Sequence, residues 1–277
     1  MNEGLERFAE LVSREQFDLA EASLMLAQDA YPDVSVPAYL GRIEDMAAEI
    51  RDRIANAAFP EQKVRALNHY LFRERGFSGN IEHYYDPRNS YLNEVIERRT
   101  GIPITLSILY LEIGRRLGLD FKGISFPGHF LVKLKVKRGQ MVLDPFLAGE
   151  AQSETDIRQR LAKVLPEPIA KNTLIDNFLE AATPRQIVAR VLRNLKNIYM
   201  HEAKLEKALA VMHRLVLVVP ESAEELRDRG MLYRRLECFR PALSDLSAYL
   251  RRRPEAADAV DVHGRIVELQ QACAKLN

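Results

Sequence analysis

Two residues in this 277-residue chain have the types and placement for acid–base work. His129 opens the segment HFLVKLKV, and Asp144 closes QMVLDPF, the apolar segment that follows. An imidazole beside a carboxylate can transfer a proton near neutral pH, or the two can form a buried pair kept for folding alone. The residue types leave both readings open. The loop GFSGNIEHYYDPRNS supplies neighbours: Asn80, Tyr84, Tyr85, Asp86, Asn89 and, just past it, Asn93 could line a pocket beside His129. Asp86-Pro87 and Asn89-Ser90 are equally what turns and helix caps require.

A nucleophile is harder to find. Cys238 and Cys273 are the only cysteines, too few for a disulfide framework and without CxxC spacing. A catalytic thiol needs an electropositive, partly exposed setting, and Cys238 instead reads as a packing residue beside Ala242 and Leu246. Thr105 and Ser107 are the nearby hydroxyls. No pair of histidines has ligand spacing and no HExxH or acidic loop occurs, so no metal is expected. Without a P-loop or GxGxxG, no cofactor is expected either.

These residues need elements to hold them. ITLSILYLEIGRRLG is apolar on nearly all sides, which predicts a buried central helix starting after the Thr100-Gly101-Ile102-Pro103 break. Ser90 suits the N-cap of a short helix through Arg99. After Gly118 the hydrophobic period changes to two, and FKGISF, HFLVKLKV and QMVLDPF read as three strands with a hairpin at Lys137-Arg138-Gly139. Phe130, Val132, Leu134 and Val136 share a core face, while His129, Leu131, Lys133 and Lys135 share a face expected to reach solvent. His129 meets the helix only if the Pro127-Gly128 bend turns it inward. Upstream, Ser35 and Pro37 open a helix with Ile43, Met46, Ala47 and Ile50 in one stripe; Val64, Leu67 and Leu71 repeat the pattern, with His69 off the stripe. Ser153 caps a helix that Pro166 and Pro168 stop, and Thr183-Pro184 starts the next.

Beyond residue 184 the chain repeats. Pro220 and Pro254, Ala208 and Ala242, Tyr199 and Tyr233, and Gly230 and Gly264 are each 34 apart, the period of the tetratricopeptide repeat. The frame gives repeats at 189–222 and 223–256 and a terminal capping helix, with Lys196 where glycine is usual. Similarity to that repeat implies that Arg190, Arg193, Asn197, Met200 and His201, then Glu224, Arg227, Met231, Arg234 and Arg235, face a concave groove. Arg193 with Asn197 resembles a carboxylate clamp, so an acidic protein or peptide partner is expected. The plain alternative is that these arginines are solvated or paired to neighbouring acids.

The order of buried helix, His129 strand, hairpin and Asp144 strand resembles the transglutaminase-like core, a papain-like α+β arrangement. That resemblance implies a Cys at the start of the helix, a His to take its proton and an Asp to orient the His. His129 and Asp144 match the last two roles. The Cys position falls at or next to Pro103, which has no attacking atom. The longer stretch GNIEHYYDPRNSYLNEVIERRTGIPITLSILYLEIGRRLGL, with FPGHFLVKL and LDPF, is similar to the SirB-one family of bacterial proteins, which joins this domain to tetratricopeptide repeats.

The expected organisation is a transglutaminase-like α+β domain with N-terminal helices at 1–150, a helical connector at 151–183 and an all-α repeat domain at 184–277. Hydrophobic residues make 47% and charged residues 29%, so the chain should fold rather than stay disordered. A formal charge of +1, with neither half strongly charged, argues against a general nucleic-acid binder. The N-terminus lacks a signal-like apolar stretch and no window suits a membrane span, so a cytoplasmic protein without a membrane partner is expected. The expected function is a non-catalytic regulatory or protein-interaction protein with a degenerate transglutaminase-like domain; the alternative is a hydrolase or acyl transferase on protein amides using His129 and Asp144.

Overall fold

The computed structural model describes residues 3–137, 139–166 and 174–275; Arg138 and Pro168, named above, lie outside the described residues. The contacts divide the chain into two compact units, Gln16–Val191 and Met1–Glu15 with Leu192–Asn277. Helix α1 (Glu3–Ser13) belongs to the second. Its stripe of Phe8, Leu11 and Val12 is buried, and Phe8 lies 4.7 Å beneath the Arg214 guanidinium. The expected boundary at 150 also differs, because the segment that follows packs onto the sheet of the first unit.

In that unit α2 (Leu19–Ala27) is buried on all sides and capped by Asp18, whose carboxylate accepts from the Glu21 N–H. Helix α3 (Val36–Arg51) starts at the expected Ser35 cap and buries Ile43, Met46, Ala47 and Ile50. Helix α4 (Pro60–Asn68) buries Val64 and Leu67 and runs into a π-helical stretch, His69–Glu74, in which His69 is exposed and bonded to Glu74. Strand β1 (Ser78–Gly79) pairs in parallel with β2 (Thr100–Gly101), on either side of α5 (Leu92–Arg98). Helix α6 (Pro103–Arg116) is the central helix the apolar run predicts, buried from Pro103 to Gly114. Its single internal acid, Glu112, is held by Arg115 and Arg116, as a carboxylate removed from water must be.

The sheet is an antiparallel meander of β3 (Phe121–Ile124), β4 (Leu131–Val136), β5 (Gly139–Asp144) and β6 (Glu150–Ala151). Ile124 pairs with Leu131, Val132 with Leu143 and Asp144 with Glu150. The lysine-bearing face reaches solvent at Lys135, as expected, but the rest of it is covered, which corrects the expectation there. Helix α7 (Glu154–Val164) and the 3-10 turn Ile175–Phe178 cover it, packing Ile157, Leu161, Leu179 and Phe178 against Ile124, Leu131 and Val142. Lys133 survives there because its ammonium donates to the Leu179 carbonyl.

The second unit holds helical hairpins: α8 (Pro184–His201), entering it at Leu192, with α9 (Leu205–Val218), then α10 (Ala223–Arg235) with α11 (Phe239–Arg252), and α12 (Ala259–Lys275) as the terminal helix. Ala208 and Ala242 are fully buried, and a Cβ on Gly230 would meet Leu246 at 2.8 Å. Each hairpin turns through a left-handed residue, Ala203 (φ 54°) and Glu237 (φ 57°), with the next N–H bonded to Tyr199 O and Tyr233 O at the same 2.9 Å. Cys238 is exposed at the start of α11 rather than packed, since it follows that turn. Among the described residues no helix is long and apolar enough to cross a membrane.

Gly114 sets how closely β3 approaches α6. A Cβ there would lie 2.2 Å from the Phe121 ring, which is buried and packs on Tyr110 at 4.9 Å. Alanine normally stabilises a helix interior by about 1 kcal/mol over glycine. Overpacking costs about 1–3 kcal/mol and should win, so Gly114→Ala is expected to lower the denaturation free energy measured in urea.

Candidate functional site

His129 lies in a turn ahead of β4, so strand alternation does not govern it. Gly128 has φ +67°, where L side chains are strained, and the His129 N–H closes the turn on the Phe126 carbonyl at 3.1 Å. The bend aims the imidazole at the end of β5. Its Nε2 meets Asp144 Oδ2 at 2.9 Å, with the His129 side chain 14% exposed and that of Asp144 0%.

The carboxylate has two further donors. Oδ1 accepts from the Phe146 N–H at 3.0 Å, which starts the 3-10 turn Pro145–Leu147. Oδ2 also takes Arg160 Nη2 at 2.6 Å, and Arg160 bonds Gln152 Oε1 as well. Arg160 supplies the positive charge that a sealed carboxylate needs, and the His129 Nε2–H is the other side-chain donor. Sequence reasoning missed Arg160. Its one signal is position, three residues after Ile157 and one before Leu161, both buried on α7.

Pro103 is the first residue of α6 and is buried. The Thr105 hydroxyl donates to Asn89 O at 2.7 Å, and the Ser107 hydroxyl is sealed in the core. Among the described residues no hydroxyl or thiol hydrogen-bonds His129, and its Nδ1 carries no partner.

The loop candidates divide by role. Asn89 is fully buried, takes Asn80 Nδ2 on its Oδ1 at 3.1 Å and donates to the His83 and Tyr84 carbonyls, so Asn80 and Asn89 staple the loop. Asp86 caps the 3-10 turn Pro87–Ser90 through the Arg88 N–H; burial pushes its carboxyl up, but the hydrogen bonds and charge of Arg88, with Arg98, together outweigh this and hold it below the ordinary value. Ser90 is therefore the last residue of that turn, and Tyr91 occupies the helix N-cap. Asn93 is buried and Tyr85 is 77% exposed. Only Tyr84 reaches the site, through rings: it meets Phe146 edge-on at 6.3 Å, and Phe146 meets His129 edge-on at 5.9 Å. Gly79 makes room, since a Cβ there would lie 2.5 Å from the Phe146 ring.

A family model described as the transglutaminase-like superfamily matches residues 37–193, and a tetratricopeptide-repeat model matches 195–266. A UPF0162 protein of Xylella fastidiosa is 37% identical over 93% of this chain and 92% of its own. A UPF0162 protein of Vibrio cholerae is 30% identical over 87% and 89%, and Protein SirB1 of Salmonella typhimurium 29% over 84% of each chain. The chain belongs to the SirB1 and UPF0162 family. Of solved structures, menin aligns with 88% of this chain and 68% of its own at TM-score 0.38 and 12% identity.

In this SirB1-family chain three of the five arginines expected in the groove, Arg193, Arg227 and Arg234, are paired to acids of their own unit. Arg193 and Lys196 both bond Glu225, at 2.7 and 2.6 Å, and Lys196 reaches Asp228, which accounts for a lysine at the usual glycine position. Arg227 bonds Asp228 and Asp258, and Arg234 bonds Glu268. Asn197 is exposed beside them. Arg190 lies in the other unit, where its Nη1 donates to Ser125 Oγ and Phe126 O at 2.8 and 2.9 Å.

The unequal bonding of the His–Asp pair makes its two halves separable. Asp144→Ala strands Arg160, the imidazole and the Phe146 N–H together and is expected to destabilise by about 3 kcal/mol. His129→Ala leaves Asp144 paired and should cost about 1 kcal/mol. Equal effects in denaturant titration would mean that Arg160 does not carry the carboxylate.

Proposed function

We propose that this protein is a non-catalytic interaction and regulatory protein, its transglutaminase-like domain holding a His–Asp couple without a nucleophile and its tetratricopeptide repeats offering a surface to a protein partner. One observation carries the reading: Pro103 heads the central helix, and no thiol or hydroxyl among the described residues bonds His129. The repeat match supports a protein partner. Support for an acidic clamp at Arg193 and Arg227 is weaker, because internal carboxylates already occupy both guanidiniums. Two free thiols agree with a cytoplasmic setting.

A second reading, hydrolysis or acyl transfer on protein amides, is favoured by the Nδ1 of His129, which has no partner among the described residues. Such a nitrogen could take a proton from water or a substrate hydroxyl. Incubated with a glutamine-bearing protein, with and without a primary amine, the full chain is expected to release no ammonia before or after iodoacetamide treatment. Release that survives alkylation but disappears in His129→Ala would assign the hydrolase or transferase. Release abolished by alkylation would assign a thiol and overturn both readings.

A further inference from the structure

Arg190 is a half-buried guanidinium whose hydrogen-bond partners among the described residues are all neutral. Both of its hydrogen bonds leave from Nη1, to the neutral acceptors Ser125 Oγ and Phe126 O, and the group lies 5.8 Å from the Phe130 ring centroid. Among the described residues no acid pairs with it. Elsewhere the chain treats partly buried arginines differently: Arg229 is bidentate on Asp245, Arg160 is on Asp144 and Arg227 is on two aspartates. Removing an uncompensated cation from water is costly, and burial accordingly pulls the Arg190 guanidinium below its ordinary value.

The free edge of Arg190 is the informative one. With Nη1 engaged, Nε and Nη2 remain, and that edge matches the two oxygens of a carboxylate side-on. Neither nitrogen is sealed in the core. Phe126 O fixes the location, because it accepts from Arg190 Nη1 and from the His129 N–H alike, at 2.9 and 3.1 Å. The guanidinium and the His129 turn are thus tied to one carbonyl. Tyr84 lies on the same side: its half-buried ring meets Phe146 edge-on at 6.3 Å, Phe146 meets His129 at 5.9 Å, and burial pushes the Tyr84 phenol up while the Arg190 charge opposes the rise.

We propose that Arg190 and Tyr84, beside the His129 turn, form a carboxylate-binding site on the transglutaminase-like unit, with the Nε–Nη2 edge of Arg190 as the anchor. The Tyr84 hydroxyl is the further donor beside it, and the His129 turn, tied to the same Phe126 carbonyl, holds the anchor in place. The carboxylate comes from an acidic side chain of a protein segment or from a free small acid. The site is independent of what the repeats bind and of whether His129 turns anything over.

The test is a titration of the full chain at constant ionic strength, followed by the Arg190 Nε–H and His129 imidazole resonances. The probes are sodium acetate, the blocked peptide acetyl-Gly-Glu-Gly-amide, its Gln counterpart and inorganic phosphate. Saturable shifts with the Glu peptide but neither its Gln counterpart nor acetate identify a chain-borne carboxylate; shifts with acetate as well mean that a small acid suffices. Arg190→Gln should weaken binding at least about tenfold, Tyr84→Phe about fivefold, and Arg190→Lys less than Arg190→Gln because it keeps the charge without the fork. If Arg190→Gln does not fold by circular dichroism, Tyr84→Phe and Arg190→Lys decide. Absence of saturation with both carboxylates, tighter binding of phosphate than of either, or unchanged affinity in folded Arg190→Gln and Tyr84→Phe overturns the site. None of these results bears on ammonia release or on a partner of the repeats, so the two proposals fail separately.

Discussion

A carboxylate sealed from water must have its lone pairs occupied, and Asp144 meets that requirement by drawing four pieces of chain to one point. The end of β5 brings the oxygens, the Gly128 turn brings the imidazole, the Pro145–Leu147 turn brings an N–H and α7 brings a guanidinium. Each donor comes from a different element, so the carboxylate fixes their mutual placement as well as its own charge balance. The Leu131 end of the lysine-bearing face is covered for the same reason: α7, held at Arg160, lays Ile157 and Leu161 across Leu131. The site and the second core layer are one construction.

Much of this was legible in the residues. The all-round apolar character of α6, the Ser35 cap, the period-two strands and the 34-residue spacing each report a local constraint that the fold respects. What escaped has a physical pattern. Leu131 and Lys133 alternate as a half-solvated strand does, yet a later helix covers them, and nothing local to β4 announces it. Arg160 resembles any surface arginine until its helix is docked. Ala203 and Glu237 adopt the left-handed conformation where glycine is expected, so their shared turn is invisible to a search for glycine. The repeat frame places Arg190 with the groove residues, but it lies ahead of the unit boundary at 191.

In the repeat unit, acid and base alternate from Arg193 through Glu225, Lys196, Asp228 and Arg227 to Asp258, linking successive hairpins along one row. Glu225 is 5% exposed, so its two cations are partly desolvated and the network is more than a solvated fringe. A row of this kind fixes the register between neighbouring helices. It also leaves Arg193, Lys196 and Arg227 already paired to acids of their own unit.

The placement of the two thiols has a practical consequence for spectroscopy. Cys238 is exposed and Cys273 partly so, both in the repeat unit, while Gln16–Val191 contains no cysteine. A maleimide dye or spin label on the native chain therefore reports from the repeats alone. With those two positions changed to serine, one cysteine introduced anywhere in the transglutaminase-like unit becomes a unique attachment point. Each unit can then be observed without a signal from the other.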